Sequence, residues 1–157
     1  PQPDPLPTVE GLDLQRFMGT WYVIAATPTI IDRNAFNATE VYSLTDDGAV
    51  NIQYSYNKGS FSGERKTYQF KGSVDNPGVN SDWTISLGWP IKADYKIIHL
   101  EPDYSLTIVG HPNRRYAWVM SRQPTIPDPQ YSDMMLKLQE FGYDISNLRR
   151  VPQSVRR

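Results

Sequence analysis

Few side chains in this chain are equipped for covalent chemistry. Cysteine is absent from the 157 residues, which removes thiolate nucleophiles, disulfides and cysteine-ligated zinc or iron sites in one step. Two histidines remain, His99 and His111. Their separation fits neither a metal-ligand cluster nor a proton relay. Haem ligation by either would need an open axial position inside the fold. No metal or cofactor is expected. Glu40 and a set of tyrosines are left as candidate acid–base groups, with no base and nucleophile placed side by side. Aromatic residues, by contrast, make up 12% of the chain. This balance points to binding rather than catalysis, with an enzyme using Glu40 or a tyrosine as the alternative.

Charge and hydropathy narrow the field further. Sixteen basic and seventeen acidic side chains give a formal net charge of −1, so no global field favours nucleic acid. The longest apolar run reaches only from Trp21 to Ala26, far short of the roughly 20 residues of a membrane-spanning helix. The length fits one domain. Pro1, Pro3, Pro5 and Pro7 alternate at the start, a composition that reads as an extended leader or tether over residues 1–12, with the folded domain at 13–157.

The elements that must position these residues are mostly strands. Leu14, Phe17 and Met18 follow Asp13 at helical spacing and predict one short turn that ends at Gly19. Segments 21–26, 37–45, 49–57, 64–74, 82–89, 94–100, 104–110 and 115–121 are rich in β-branched and aromatic residues. Asp46-Asp47-Gly48, Asn57-Lys58-Gly59 and Asn76-Pro77-Gly78 supply turn chemistry between strands. No helix-length pattern interrupts them, so the expectation is an all-β, eight-stranded antiparallel up-and-down barrel whose closure removes both edges. The period then changes. Tyr131, Met134, Met135, Leu138 and Phe141 form a helical stripe, with Asp128 as cap, Pro129 in the first turn and Gly142 at the stop. That helix is expected to pack on the outside of the barrel through residues such as Tyr22, Ile24, Ile98 and Val109. A short ninth strand at 148–151 and a basic tail with Arg149, Arg150, Arg156 and Arg157 complete the chain. The tail keeps peripheral association with anionic lipid as an alternative use.

Three motifs carry a resemblance. Gly19-Thr20-Trp21-Tyr22, Pro102-Asp103-Tyr104 and Trp118-Val119-Met120-Ser121-Arg122 stand in the order and spacing of the lipocalin family. Within it the chain is most similar to the bacterial outer-membrane lipoprotein group, related to plant temperature-induced lipocalins and apolipoprotein D. The resemblance implies a calyx that holds a small hydrophobic ligand such as a fatty acid or lysophospholipid. It also implies a monomer or weak homodimer in the cell envelope, periplasm or outer membrane. Gly19, Trp21, Asp103, Tyr104 and Arg122 would be structural, with Trp21 plugging one barrel end and Arg122 lying across its indole. The chain departs from the pattern at Val23, where a glutamate is usual, and it lacks both the N-terminal cysteine of the lipoproteins and the thiol of the prostaglandin-isomerising member.

Alternation then selects the interior. With Trp21 inward, Val23 and Ala25 share its face. Carrying the family register along the barrel adds Ala38, Glu40, Tyr42, Ile52, Tyr54, Tyr68, Ile85, Tyr95, Ile97, His99, Ile108 and Trp118 as ligand-binding candidates. Phe70, Trp83 and Leu87 also face in, and Leu44, Val50, Leu106 and Met120 are expected to fill the lower layer. Glu40 is expected to reach solvent at the open end, His99 to be a hydrogen-bonded interior histidine, and His111 to be exposed in a turn beside Pro112.

Overall fold

The computed structural model describes residues 4–88 and 90–154. Leu14–Phe17 forms a short helix, α1, whose preceding residue Asp13 accepts from the Arg16 amide at 3.3 Å and so satisfies one of the donors that a helix start leaves free. The strands are β1 Gly19–Ala26, β2 Ala35–Leu44, β3 Val50–Lys58, β4 Arg65–Val74, β5 Asp82–Ser86, β6 Lys92–Leu100, β7 Leu106–Gly110 and β8 Ala117–Ser121. Each pairs antiparallel with the next, and β1 pairs with both β2 and β8. The sheet is therefore a closed barrel of eight strands. Gly48, with φ of 82°, supplies the left-handed residue at the β2–β3 turn. The fifth strand stops at Ser86, short of its expected end at position 89, which lies outside the described residues.

Helix α2, Asp128–Glu140, follows the barrel, and a 3-10 turn at Ile145–Asn147 leads into a two-residue strand, β9, Arg149–Arg150. The residue before α2 is Pro127, not Asp128, and no side chain caps the helix. Gly142 takes a φ of 96° just past its end, the position where a residue without Cβ meets no steric penalty. Met134 and Leu138 are buried against Ile24, Ala25, Ile98, Leu106, Ile108, Ala117 and Val119 on the outer wall. A second cluster fills the interior, built on Phe17, Trp21, Tyr42, Ile52, Trp83, Tyr95 and Ile97.

Three irregularities set which side chains belong to which cluster. On β1 the register shifts between Val23, opposite Met120, and Ala25, opposite Val119. On β6 it shifts between Ile97, opposite Val109, and His99, opposite Ile108. On β2 it shifts between Phe36 and Thr39, with Asn37 at a φ of 52°. A bulge places two residues opposite one, so the inside–outside alternation slips by one position beyond it. Ala25, expected inside, accordingly packs beneath α2 and Ala26 takes the interior place. His99, expected inside, shares the outward sense of its partner Ile108 and sits 3.3 Å from Glu101. Ile108 and Leu106, also expected inside, belong to the outer cluster, whereas Val109, expected outside, pairs with inward Trp118. Every residue of β7 is buried. With both faces covered, the strand carries no alternation from which its parity could be read.

Residues 4–12 are not a free tether. Leu6 is buried under the α2 cluster and Leu12 in the interior cluster. Val9 donates its amide to Ile97 O at 3.0 Å and accepts from Ser81 Oγ at 2.5 Å. Arg114 Nη2 donates to Asp4 O at 2.5 Å. Pro1 and Pro3 lie outside the described residues.

The seam between β1 and β2 is short. They pair only from Gly19–Tyr42 to Tyr22–Thr39. Past that point the strands part, and the C-terminal segment bridges them. Val151 donates to Ile24 O at 2.9 Å, Asn37 to Pro152 O at 2.8 Å, and Gln153 Nε2 to both Val23 O and Ala38 O at 2.9 Å. The basic tail is partly committed to the same region. Arg149 donates to Ala35 O at 2.6 Å, and the Arg150 guanidinium lies 4.3 Å from the Tyr131 ring centroid. Arg156 and Arg157 lie outside the described residues.

Candidate functional site

One end of the barrel is sealed by aromatic packing. Trp21 is fully buried and donates Nε1–H to Phe17 O at 2.8 Å. The Arg122 guanidinium lies 3.8 Å from the indole ring and donates to Thr20 O at 2.9 Å, Arg16 O at 2.7 Å and Met18 O at 3.0 Å. Gly19, with φ of 99°, lets the chain turn beneath it; a Cβ there would stand 3.5 Å from Arg122 Nη1. Asp103 accepts from the Ser105 amide and hydroxyl at 3.1 and 2.6 Å, holding a turn in which Tyr104 has a φ of 60°. The Tyr104 hydroxyl accepts from the Asp13 amide at 2.9 Å and its ring lies under Arg16. The β6–β7 turn, helix α1 and the β8 end are thus fastened into one stopper. Phe17 packs on Trp21, Tyr42 and Trp83 at centroid distances of 5.0, 5.3 and 5.8 Å.

Above this floor lies a cavity of about 510 Å³, within the range of small-molecule sites. Its wall includes Glu40, Ile52, Tyr54, Ile85, Tyr95 and Trp118 from the sequence-derived set, together with Phe70 and Leu87. A ladder of rings climbs one side: Trp83 to Tyr95 at 5.4 Å, Tyr95 to Trp118 at 6.1 Å, and Trp118 to Tyr116 at 6.5 Å. Val23, Ala38, Tyr42 and Ile97 are buried inside the barrel without lining the cavity, and Tyr68 is half-buried, stacked on Tyr56.

The mouth is built from residues that alternation did not reach. Thr29, Ile30, Ile31 and Asp32 come from the β1–β2 loop, Ala93 and Asp94 from the start of β6, and His111 and Tyr116 from the β7–β8 connection. His111 is therefore part of the lining, not merely a turn residue. Asp32 holds the β1–β2 loop, accepting from the Thr29 amide at 2.6 Å, the Thr29 hydroxyl at 2.8 Å and the Tyr54 hydroxyl at 2.8 Å. Tyr56 donates to Ile31 O at 2.5 Å. The Thr-x-x-Asp spacing at 29–32 was the available sign of an ordered loop.

Glu40 departs most from expectation. It does not reach solvent: the residue is 6% exposed, and its Oε2 has no hydrogen-bond partner. Its strand neighbours are Trp21 on one side and Tyr54 on the other, which places it just above the floor. Loss of hydration pushes its carboxyl from 4.5 up to about 7; the hydroxyls of Tyr42 and Tyr95 act against this, and the Asp32 charge adds to it. Those two hydroxyls meet each other in a hydrogen bond of their own. Burial, with the Glu40 charge second, holds both phenols well above the ordinary tyrosine range. Deep in the cup the site thus has one carboxyl of adjustable charge, with no nucleophile beside it. Among the described residues no group of histidine and carboxylate side chains is placed to hold a metal ion.

Known proteins share this architecture. Insecticyanin from the tobacco hornworm Manduca sexta superposes with a TM-score of 0.74 at 16% identity, covering 98% of this chain and 87% of that one. The cockroach allergen Per a 4 gives a TM-score of 0.69 at 18% identity over 98% and 96%. In sequence the chain is 31% identical over 153 residues to temperature-induced lipocalin-1 of Arabidopsis thaliana, covering 93% of this chain and 82% of that protein. It is 30% identical over 148 residues to outer membrane lipoprotein Blc of Escherichia coli K12, covering 92% and 81%. The family model of the lipocalin-like domain matches residues 12–153, from the buried Leu12 to the Gln153 that bridges the seam, and the chain belongs to the lipocalin family.

Proposed function

We propose that this protein binds and carries an elongated aliphatic lipid in the barrel cavity without transforming it. The observation that carries the reading is the apolar cup of about 510 Å³ above a sealed aromatic floor. About ten methylenes at ~0.8 kcal/mol each would contribute roughly 8 kcal/mol, or about micromolar affinity before ordering costs. Fatty acids and lysophospholipids belong to the ligand class that the family resemblance implies. Glu40, Ile52, Tyr54, Ile85, Tyr95 and Trp118 wall the proposed site, and Val23, Ala38, Tyr42, Tyr68 and Ile97 belong to the barrel interior behind it. Likeness to the outer membrane lipoproteins supports a place in the bacterial cell envelope, and a monomer suits a barrel whose strands have all found partners. Titration with a lysolipid and a C12 chain, read by tryptophan fluorescence, tests the binding reading. Saturable quenching that shrinks in Trp118→Phe is the expected outcome; no response with any aliphatic ligand would refute it.

A carboxyl at about 7 favours a second reading. It is in the range where a general acid or base works, so an isomerase or hydratase acting on a bound lipid is the competing function. Conversion of a bound unsaturated lipid that stops in Glu40→Gln, with binding retained, would establish it.

A further inference from the structure

The charged side chains of the cavity are predominantly acidic. Asp32, Glu40 and Asp94 line it, and among the described residues the lining contains no lysine or arginine; His111 at the mouth is its one basic side chain. The three acids are not equivalent. Asp94 is exposed at the mouth. Asp32 has both oxygens occupied, by Thr29 and by Tyr54. Glu40 alone is deep and incomplete: more than nine-tenths buried, facing the cavity, with Oε2 unpartnered. The tyrosines beside it supply at most part of what it needs: the Tyr42–Tyr95 bond consumes one of that pair's two hydroxyl protons, Tyr54 donates to Asp32, and Oε2 is left without a donor. A buried polar oxygen without a partner is costly, and native structures ordinarily complete it. In a cup otherwise walled by Ile52, Ile85, Trp118 and the tyrosine rings, the cavity occupant is the group placed to do so.

We infer that the cavity is built for an aliphatic amphiphile whose polar end donates hydrogen bonds to Glu40, an ammonium being the strongest such end, and is set against free carboxylates. This rests on the lipid-carrier reading and names the head group that goes with it. A carboxylate head at the floor would meet Glu40 as a second carboxyl, and the pair would need a shared proton to coexist, with two further acids toward the mouth. An ammonium head would supply the missing donor and a compensating charge in a dry site, where charge-assisted hydrogen bonds are strongest. The tail would then lie along the ring ladder from Tyr95 to Trp118.

The experiment compares three ligands of equal chain length, dodecylamine, dodecanol and dodecanoate, on the full chain at pH 8 and below their micellar concentrations, by calorimetry and tryptophan fluorescence. Neutral N-phenyl-1-naphthylamine serves as a probe of the cup itself. Dodecylamine is expected to bind at least about ten-fold tighter than dodecanoate, equivalent to ~1.4 kcal/mol, with dodecanol between them. In Glu40→Gln the amine-over-carboxylate preference should collapse to less than about three-fold, each affinity being taken relative to that of the neutral probe in the same variant. Equal or tighter binding of dodecanoate by the wild type, or a preference that survives Glu40→Gln, would overturn the inference and leave the carrier reading standing. The first of these results would mean that water completes Glu40. Failure of the neutral probe and all three ligands to bind would overturn both. Should Glu40→Gln not fold, Glu40→Asp, which withdraws the carboxylate by one methylene, provides the same comparison, with a reduced preference expected and an unchanged one counting against the inference.

Discussion

Replacing Glu40 by Gln isolates the free energy of one buried charge. The two side chains have nearly the same shape, so their difference is the ability to ionise. The folded carboxyl sits at about 7, raised from 4.5 chiefly by loss of hydration. Between those values the unfolded chain has given up a proton that the folded protein keeps, and native stability must fall as pH rises through this window. At roughly 1.4 kcal/mol per pH unit the loss accumulates to about 3 kcal/mol by pH 8, and below about pH 4.5 it is absent. Urea unfolding of both proteins at pH 4.5 and pH 8, followed by tryptophan emission, measures this directly. The stability of Glu40→Gln relative to wild type should rise by about 3 kcal/mol between the two pH values, with unchanged m. Titrating groups that do not interact with Glu40 affect both proteins equally and cancel in the difference. A gap of the same size at both pH values would refute the reasoning, since it would show that Glu40 is hydrated in the folded protein.

Three further substitutions probe the frame around the cup. Arg122→Lys keeps the charge but loses the planar fork that reaches three carbonyls and covers Trp21; a loss of about 1–3 kcal/mol in urea unfolding is expected. Leu138→Ala empties a fully buried position beneath α2 and should cost about 2–5 kcal/mol, seen as a lower midpoint in thermal or chemical denaturation. Gly110→Ala places a methyl group against the Tyr143 hydroxyl, which donates to His111 O at 3.0 Å; destabilisation of about 1–3 kcal/mol is expected, with Tyr143→Phe recovering part of it in the double variant.

Much of this frame could be read from residue order because its signals are local. Turn formers such as Asp46-Asp47-Gly48 separate runs of alternating side chains, and the Tyr131-to-Phe141 stripe has only helical spacing. Trp21 and Arg122 were found as motifs and meet in space. The positions that escaped were governed by features without a residue signature. The extra positions at the bulges, Ile24 and Ile98, look like ordinary strand residues, yet each reverses the facing of the residues beyond it on its strand, Ala25 and His99 among them. Thr107, Ile108 and Val109 are all buried, so no polar face marked the outside of β7. The mouth residues Ile30, Ile31 and Asp32 lie in an irregular loop where no period applies. Glu40 was placed on the correct face, but depth along the barrel axis depends on how the loops fold over the rim. The proline-rich start hid its own clue. Leu6, Val9 and Leu12 recur every third residue, the period of a polyproline helix, and all three pack against the barrel.

The bridge made by Gln153 between Val23 and Ala38 orders events during biosynthesis. At roughly 5–20 residues per second, a ribosome needs on the order of 6–25 seconds after Ala38 to reach position 153. During that interval β2 gains its β3 partner early, whereas the edge of β1 that pairs with β8 stays open until Ala117–Ser121 has been made. Val23 O and Ala38 O, among the first main-chain acceptors of the barrel to be made, are thus among the last to meet their donor.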